Sequence, residues 1–369
     1  MKIGLIAHYG EDYYKSRVDF LNFLKEKGSS TFAFVPEDEY KEKIDTLEGK
    51  VYFYQYSRSW KFIFSLISTY FFFVSKLKKE KTDIVFTYKF FPNIVGIVAA
   101  RKAKVAKIVA TIAGIGFLEK REESILIKWV FKFYIWILNK ADYVVTQNVE
   151  DLKLLQENLT HPKLILTHGS GVNPDSFLLG REKNHDYIIK NGLDAEKKYI
   201  TFCSRIVKQK GLEELVAAYN TIDIDYELII AGWFDEKGLE EKILDLIKSN
   251  PKIHYLGYQK NVSELLSITE VVILPSYYPE GVPRSLIEAL SLSKIIITTD
   301  HKGCKETCID HKNGFLVEPR SIESLAKALQ KIDALNEAEL SFFKKNSLQL
   351  FQDKFDSKVV YKTIWDGIQ

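Results

Sequence analysis

Apolar residues fall along this chain in two alternating textures. Short dense runs occupy residues 2–7, 31–35, 83–87, 107–112, 143–146 and 164–167. Their length and their Val, Ile, Phe and Thr content predict buried strands. Between them, residues 20–27, 93–102 and 124–139 carry apolar positions three and four apart, the spacing of helices. The pattern restarts after a polar segment. Runs at 199–203, 227–231, 254–256, 271–274, 295–298 and 315–317 predict a second strand set. Helical stretches at 212–219, 239–248, 262–268, 284–291 and 321–332 separate them. Strand–helix alternation of this kind predicts an α/β fold with parallel, doubly wound sheets. Gly, Ser, Asn and Pro cluster at 169–177 and mark the boundary. The expected architecture is two Rossmann-like domains, 1–170 and 171–350, facing a cleft. A C-terminal helix at 351–369 is expected to pack back on the first domain. In such sheets ligands bind outside the strand carboxyl ends.

Composition supports two cores, with 46% hydrophobic and 27% charged residues among 369. The net charge of +3 gives no global basic field, so nucleic acid is not an expected partner. Cys203, Cys304 and Cys308 form no even disulfide framework, which fits a reducing cytoplasm. The first residues run straight into a strand pattern without a basic leader and cleavage site, so no signal peptide is expected. The aromatic run 60–74 is too short for a membrane span.

Two constellations carry chemistry. The first is SRIVKQKG at 204–211, after an apolar strand and before a helix. Arg205 offers a planar fork and Lys210 a point charge to phosphate oxygens, and a helix start adds free N–H groups. A solvated basic turn would read the same way. The second is PEGVPRSLIEA at 279–289, after the strand 271–274. Pro283 suits a helix start. Glu280 and Glu288 could each accept two hydroxyl hydrogen bonds, as sugar and ribose diols require. Surface acids on a capped helix are the bland alternative.

These segments resemble the retaining, family-four glycosyltransferases of GT-B fold. Glu280 to Glu288 matches their E-x7-E motif, and Arg205 to Gly211 their R-x4-K-G motif. Gly171-Val172-Asn173 with Phe177 is similar to their interdomain element. Thr299-Asp300, Gly303-Cys304-Lys305-Glu306 and 313–317 are similar to their closing segment. The resemblance implies that Arg205 and Lys210 bind the donor diphosphate, with Arg205, Lys210 and Glu280 as the catalytic set. It implies that Glu288 binds the ribose and Glu280 the transferred sugar. Gly281, Val282, Pro283 and Arg284 would contact sugar and phosphate, and the backbone near Tyr258 the nucleobase. Ala113 stands where many members have a histidine, so Gly114 to Gly116 are expected to supply N–H groups instead.

In the first domain, His8, Gly10, Arg17 and Gly114-Ile115-Gly116-Phe117 resemble a bacterial subgroup. Its members act on undecaprenyl-diphosphate-linked saccharides in capsule, O-antigen or glycan pathways. The resemblance implies a UDP-sugar donor of the N-acetylated hexosamine or deoxyhexosamine kind, and acceptor contacts from His8, Gly10, Arg17, Gly114 and Gly116. No cofactor or metal is expected, because basic groups oppose the leaving-group charge.

Other signals read as structure. Asp223-Ile224-Asp225 is formally a metal motif but sits in a short link, where turn chemistry explains it. Cys304, Cys308, His301 and His311 lack usual zinc spacing. Gly114-Ile115-Gly116 lacks the rest of a dinucleotide fingerprint. His168 beside the boundary reads as structural. The stretch 125–138 holds Trp129, Phe131, Phe133, Tyr134 and Trp136 with Lys128 and Lys132, flanked by Arg121 and Lys140. Lysines 76, 78, 79 and 81 follow the run 60–74. Basic residues beside aromatic ones suit an anionic bilayer. Lys128, Trp129, Lys132 and Trp136 are therefore expected membrane contacts, placing the protein peripherally on the inner membrane face. A core helix with a basic edge is the alternative. A soluble transferase with a small acceptor and a non-catalytic sugar-nucleotide-binding protein also remain open.

Overall fold

The computed structural model describes residues 1–55, 62–116, 118, 124–180 and 182–369, without the side chains of 62–64 and 179. Trp60, Phe117 and Arg121, singled out above, lie outside the described residues. The chain divides into two compact units. One comprises Met1–Ser170 with Val360–Gln369, and the other Gly171–Val359.

The first unit holds strands β1 (Lys2–Ile6), β2 (Ser30–Pro36), β3 (Lys50–Tyr54), β4 (Ile84–Tyr88), β5 (Lys107–Ile112), β6 (Tyr143–Thr146) and β7 (Lys163–Leu166). They form one parallel sheet in the order β3-β2-β1-β4-β5-β6-β7. The second holds β8 (Lys198–Cys203), β9 (Tyr226–Ala231), β10 (Ile253–Gly257), β11 (Thr269–Leu274), β12 (Ile295–Thr299) and β13 (Gly314–Val317). Its order is β10-β9-β8-β11-β12-β13. Both are doubly wound sheets, with strand order reversing at β1/β4 and β8/β11. These are the two Rossmann-like domains the apolar pattern predicted.

A parallel sheet buries both faces, which explains the dense runs. On β5, Ile108, Ala110 and Ile112 join one apolar cluster, and Val109 joins the cluster on the opposite face. On β8, Ile200 and Phe202 face one core while Tyr199 faces another.

The chain passes between the units twice. The two passing segments pair inside the second unit, where the Val172 N–H donates to Phe355 O (3.0 Å) and the Ser357 N–H to Val172 O (3.0 Å). Residues 351–359 belong to this second unit, nine residues beyond the expected boundary at 350. Phe351 and Phe355 account for the difference, since both are buried in its core. The helix Ser357–Gly367 then carries Val360, Tyr361, Ile364 and Ile368 into the first unit's core beside Phe20, Leu24 and Phe86. The Tyr361 hydroxyl donates to Ser16 O (3.3 Å), and Lys107 Nζ to Ile368 O (2.6 Å).

Candidate active site

The second unit has a pocket of about 260 Å³ at its strand carboxyl ends. Four segments line it: Cys203 to Arg205 after β8, Gly232 and Trp233 after β9, Tyr258 and Gln259 after β10, and the start of the helix Arg284–Ser291. Lys210 and Glu280 complete it.

Each segment has a local reason for its course. After β8 the chain makes a 3-10 turn over Lys208–Lys210 and enters the helix Leu212–Tyr219 through Gly211. Gly211 has φ 76°, and a Cβ there would lie 2.2 Å from Pro275 O, so only glycine fits. The Tyr277 N–H donates to Gln209 O (2.9 Å), tying the loop after β11 to this turn. Pro283 leads into the helix Arg284–Ser291, whose first turn no side chain caps. Uncapped N–H groups carry partial positive charge and suit an anion.

Three cations line the pocket, each beside a carboxylate. Arg205 Nη1 lies 2.8 Å from Asp235 Oδ2, and its guanidinium lies 5.8 Å from the centre of the Tyr278 ring. Burial pulls the Arg205 pKa down, but hydrogen bonds from Asp235 and Tyr278 outweigh it and raise it overall. Lys210 is 6% exposed and pairs with Glu280. Arg284 Nε lies 2.7 Å from Glu288 Oε1, one turn along the same helix. Burial, and then the charge of Glu288, push the Cys203 thiol up to about 12, so it is an inert wall rather than a nucleophile.

The pocket thus unites Arg205, Lys210, Tyr258, Glu280, Pro283, Arg284 and Glu288 of the sequence-derived set. Gly281 and Val282 lie in the connecting loop, with the Val282 side chain buried in the core. Trp233, Gly232 and Gln259 were not foreseen. The signal for them was available: each follows directly on a predicted strand of this domain.

The expected acceptor residues all lie in the first unit. His8 follows β1, with its ring 4.1 Å from Tyr9 and 6.4 Å from Phe91. Gly114, at φ 115°, and Gly116 follow β5. Two of the set are engaged internally, which corrects their assignment in this conformation. The Gly10 N–H donates to Asp38 Oδ2 (2.7 Å). Arg17 is 6% exposed, donates from Nε and Nη2 to the two oxygens of Asp12, and lies 4.1 Å over the Tyr88 ring. Burial alone would lower its pKa, but the charge of Asp12 holds it high. Arg17 braces the first helical turns rather than presenting itself to a ligand.

On the helix Ile125–Leu138, Phe131, Tyr134, Ile137 and Leu138 are buried. Trp129 (67%) and Trp136 (56%) are mostly exposed, and Lys128 and Lys132 are exposed beside them. Lys132 Nζ lies 5.6 Å over Trp129 and Lys140 Nζ 4.1 Å over Trp136. No described helix is long and apolar enough to cross a membrane. Asp223, of the formal metal motif, pairs with Lys252 at 2.8 Å. Among the described residues no three His, Cys, Asp or Glu side chains are grouped to hold a metal.

Comparison with known proteins agrees with this geometry. Residues 183–347 match the family described as glycosyl transferases group 1, and residues 2–148 match glycosyl transferase 4-like. This chain belongs to the GT-B glycosyltransferases. The transferase is 27% identical over 347 residues to an N,N'-diacetylbacillosaminyl-diphospho-undecaprenol alpha-1,3-N-acetylgalactosaminyltransferase of Campylobacter jejuni, covering 92% of this chain and 90% of the relative. It is 28% identical over 277 residues to an Escherichia coli UDP-Gal:alpha-D-GlcNAc-diphosphoundecaprenol alpha-1,3-galactosyltransferase, covering 73% of this chain and 70% of the relative. Among solved structures, a Rickettsia africae glycosyltransferase shares the fold at TM-score 0.81 and 20% identity, covering 99% and 97% of the two chains. Anabaena HepE in complex with UDP and glucose shares it at TM-score 0.79 and 16% identity, covering 99% and 98%.

Proposed function

We propose that this glycosyltransferase moves a sugar, with retention, from a UDP-sugar to a polyprenyl-diphosphate-linked saccharide in surface polysaccharide synthesis. The observation that carries the reading is the convergence of Arg205, Lys210, Glu280, Arg284 and Glu288 on one pocket. Cleaving the sugar–phosphate bond builds negative charge on the leaving diphosphate. Arg205, Lys210 and the uncapped helix start oppose that charge as it grows, which lowers the barrier rather than tightening ground-state binding. Glu288 accepts the ribose hydroxyls and Glu280 those of the transferred sugar. The acceptor hydroxyl then attacks from the face the diphosphate leaves, its proton passing to a leaving phosphate oxygen. All the charge compensation comes from the chain, so no metal or cofactor is assigned a step.

The acceptor class follows from the relatives, whose names place undecaprenyl diphosphate in the acceptor. The printed N-acetylgalactosaminyl and galactosyl transfers favour an N-acetylated hexosamine, or a deoxyhexosamine, as the cargo here. The exposed Trp129 and Trp136 with Lys128 and Lys132 would hold the protein on the anionic inner face of the cell membrane, where such an acceptor resides.

The test is transfer from labelled UDP-N-acetylhexosamines to a short-chain polyprenyl-diphosphate sugar in excess chelator. The product's anomeric configuration is then read by NMR. Expected is a metal-independent product with the donor's α configuration. A β product, activity restored only by magnesium or manganese, or transfer confined to GDP-sugars would each overturn the corresponding part.

A further inference from the structure

Two aromatic rings in the donor pocket have no part in the chemistry above. Trp233 is 47% exposed and Tyr258 55% exposed, although each directly follows a buried strand. Their ring centres are 5.5 Å apart and their planes meet at 72°. Neither ring joins a buried core cluster of the second unit. The neighbouring Phe234 does pack on one, against Tyr255 at 5.5 Å. Consecutive residues of this extended segment therefore point to opposite sides, and the larger ring faces the pocket.

The backbone fixes that orientation. The Ile206 N–H donates to Trp233 O (2.8 Å), and the Asp235 N–H to Ile206 O (3.0 Å), so the segment after β9 pairs with the segment after β8. The Gly232 N–H donates to Gly257 O (2.9 Å), linking the third strand end. Gly232 has φ 150°, and a Cβ there would lie 1.9 Å from Ser204 O. The close approach of three strand ends thus requires glycine directly before the tryptophan. Trp233 cannot swing away without breaking this pairing.

We propose that Trp233 and Tyr258 form an aromatic corner that seats the nucleobase of the donor, with Trp233 as its stacking platform. This rests on the reading of the pocket as a nucleotide-sugar site. Arg205, Lys210 and Arg284 mark where a diphosphate goes, and Glu288 the ribose. A base attached to that ribose is a flat heterocycle in need of an apolar wall. Two planes near a right angle supply one face to lie on and one edge to abut. The side chain of Gln259, the other polar candidate, is engaged within the protein. Its Nε2 donates to Leu256 O (2.6 Å), and its Oε1 accepts from the Tyr187 hydroxyl (2.8 Å). The base is therefore held by stacking and backbone groups, and stacking tolerates any base. Discrimination between uracil and other bases then depends on the backbone around Tyr258.

UDP and inorganic pyrophosphate separate the base from the phosphates. Trp233→Ala should raise the Kd of UDP roughly tenfold, the scale of one lost stacking contact. It should leave pyrophosphate binding within about twofold. Trp233→Phe, which keeps a ring, should restore most of the UDP affinity. UDP should quench wild-type tryptophan emission, and Trp233→Phe should abolish the quenching. Unchanged UDP affinity in Trp233→Ala, or an equal loss for UDP and pyrophosphate, overturns the corner while leaving the donor site standing. Wild-type protein that binds no nucleoside diphosphate at all overturns the donor reading and the corner with it.

Discussion

Arg205 and Lys210 come from one turn but stand in different surroundings. Arg205 shares a partly exposed pair with Asp235, whereas Lys210 is buried against Glu280. Exposed pairs contribute about 0–1 kcal/mol, and breaking a buried one leaves an uncompensated charge. Arg205→Ala and Lys210→Ala should each lower kcat by about 10²–10³-fold, as removal of one preorganised donor does. Only Lys210→Ala should also lower Tm by several degrees. Steady-state kinetics and thermal melts check both, and near-normal turnover in the two variants would refute the assignment. A third cation behaves differently. Burial, and then the charge of Lys344, push Lys294 down to about 8, with Glu270 opposing. The unfolded chain keeps that proton to about 10.4. The cost of Lys294 is therefore fully present below pH 8 and is relieved as pH rises towards 10.4. Lys294→Met should stabilise the protein at pH 7 by about 2 kcal/mol, with the gain vanishing near pH 10 in denaturant titrations. Motif residues such as Glu280 and Glu288 were legible because their spacing around Gly281 and Pro283 encodes a loop entering a helix. Trp233 was not. Its role depends on which side of a strand extension faces the pocket, and that is decided by pairing with Ile206, 27 positions away in sequence.

At the scale of elements, the helix Ile125–Leu138 is amphipathic in an unusual sense. One side is buried apolar and the other is exposed aromatic interleaved with lysine. Changing Lys128 and Lys132 together to Glu should weaken binding to anionic vesicles at least tenfold. Each surface lysine contributes on the order of 1 kcal/mol near such a bilayer, and reversal adds repulsion. UDP binding should not change, and 0.5 M salt should mimic the variant. Vesicle sedimentation that cannot tell the variant from wild type would remove this helix as an anchor. The central strands were legible from dense apolar runs because both their faces are covered. β3 was missed although Val51, Tyr52 and Phe53 suit a strand. It lies at the sheet edge with those three only partly buried, and so lacks the neighbouring signals that set off β4 and β5. The helix Val149–Asn158 was missed for the related reason that it buries only Asp151 and Leu155.

Over the whole molecule, the sequence does not map one-to-one onto the units. Val360, Tyr361, Ile364 and Ile368 complete a core otherwise built from the first 170 residues. The apolar period of residues 351–369 predicted a helix, but only the structure shows which segments it completes, because packing partners leave no local trace. Ending the chain after Val359 should uncover Phe20, Leu24 and Phe86. The first unit's melting transition should fall by 10 °C or more, on the order of 2–5 kcal/mol for several lost large side chains. The second unit should still bind UDP. Calorimetry that shows both transitions unmoved would contradict this.

The same arrangement sets an order of events at the ribosome. Synthesis is vectorial, and a domain normally folds as soon as its last residue emerges. Here the sheet β1 to β7 is finished by residue 166, yet the side chains that cover Phe20 and Phe86 are made about 200 residues later. At 5–20 residues per second that interval is roughly 10–40 s. Throughout it, an apolar strip of the nascent first unit remains uncovered while the donor unit is still being made. The second unit has no such debt, because 171–359 contains all of its own strands. The half that emerges last is thus the first able to close its core. A nascent chain stalled before residue 360 would present trigger-factor-like chaperones with the strip that Tyr361 and Ile364 later cover.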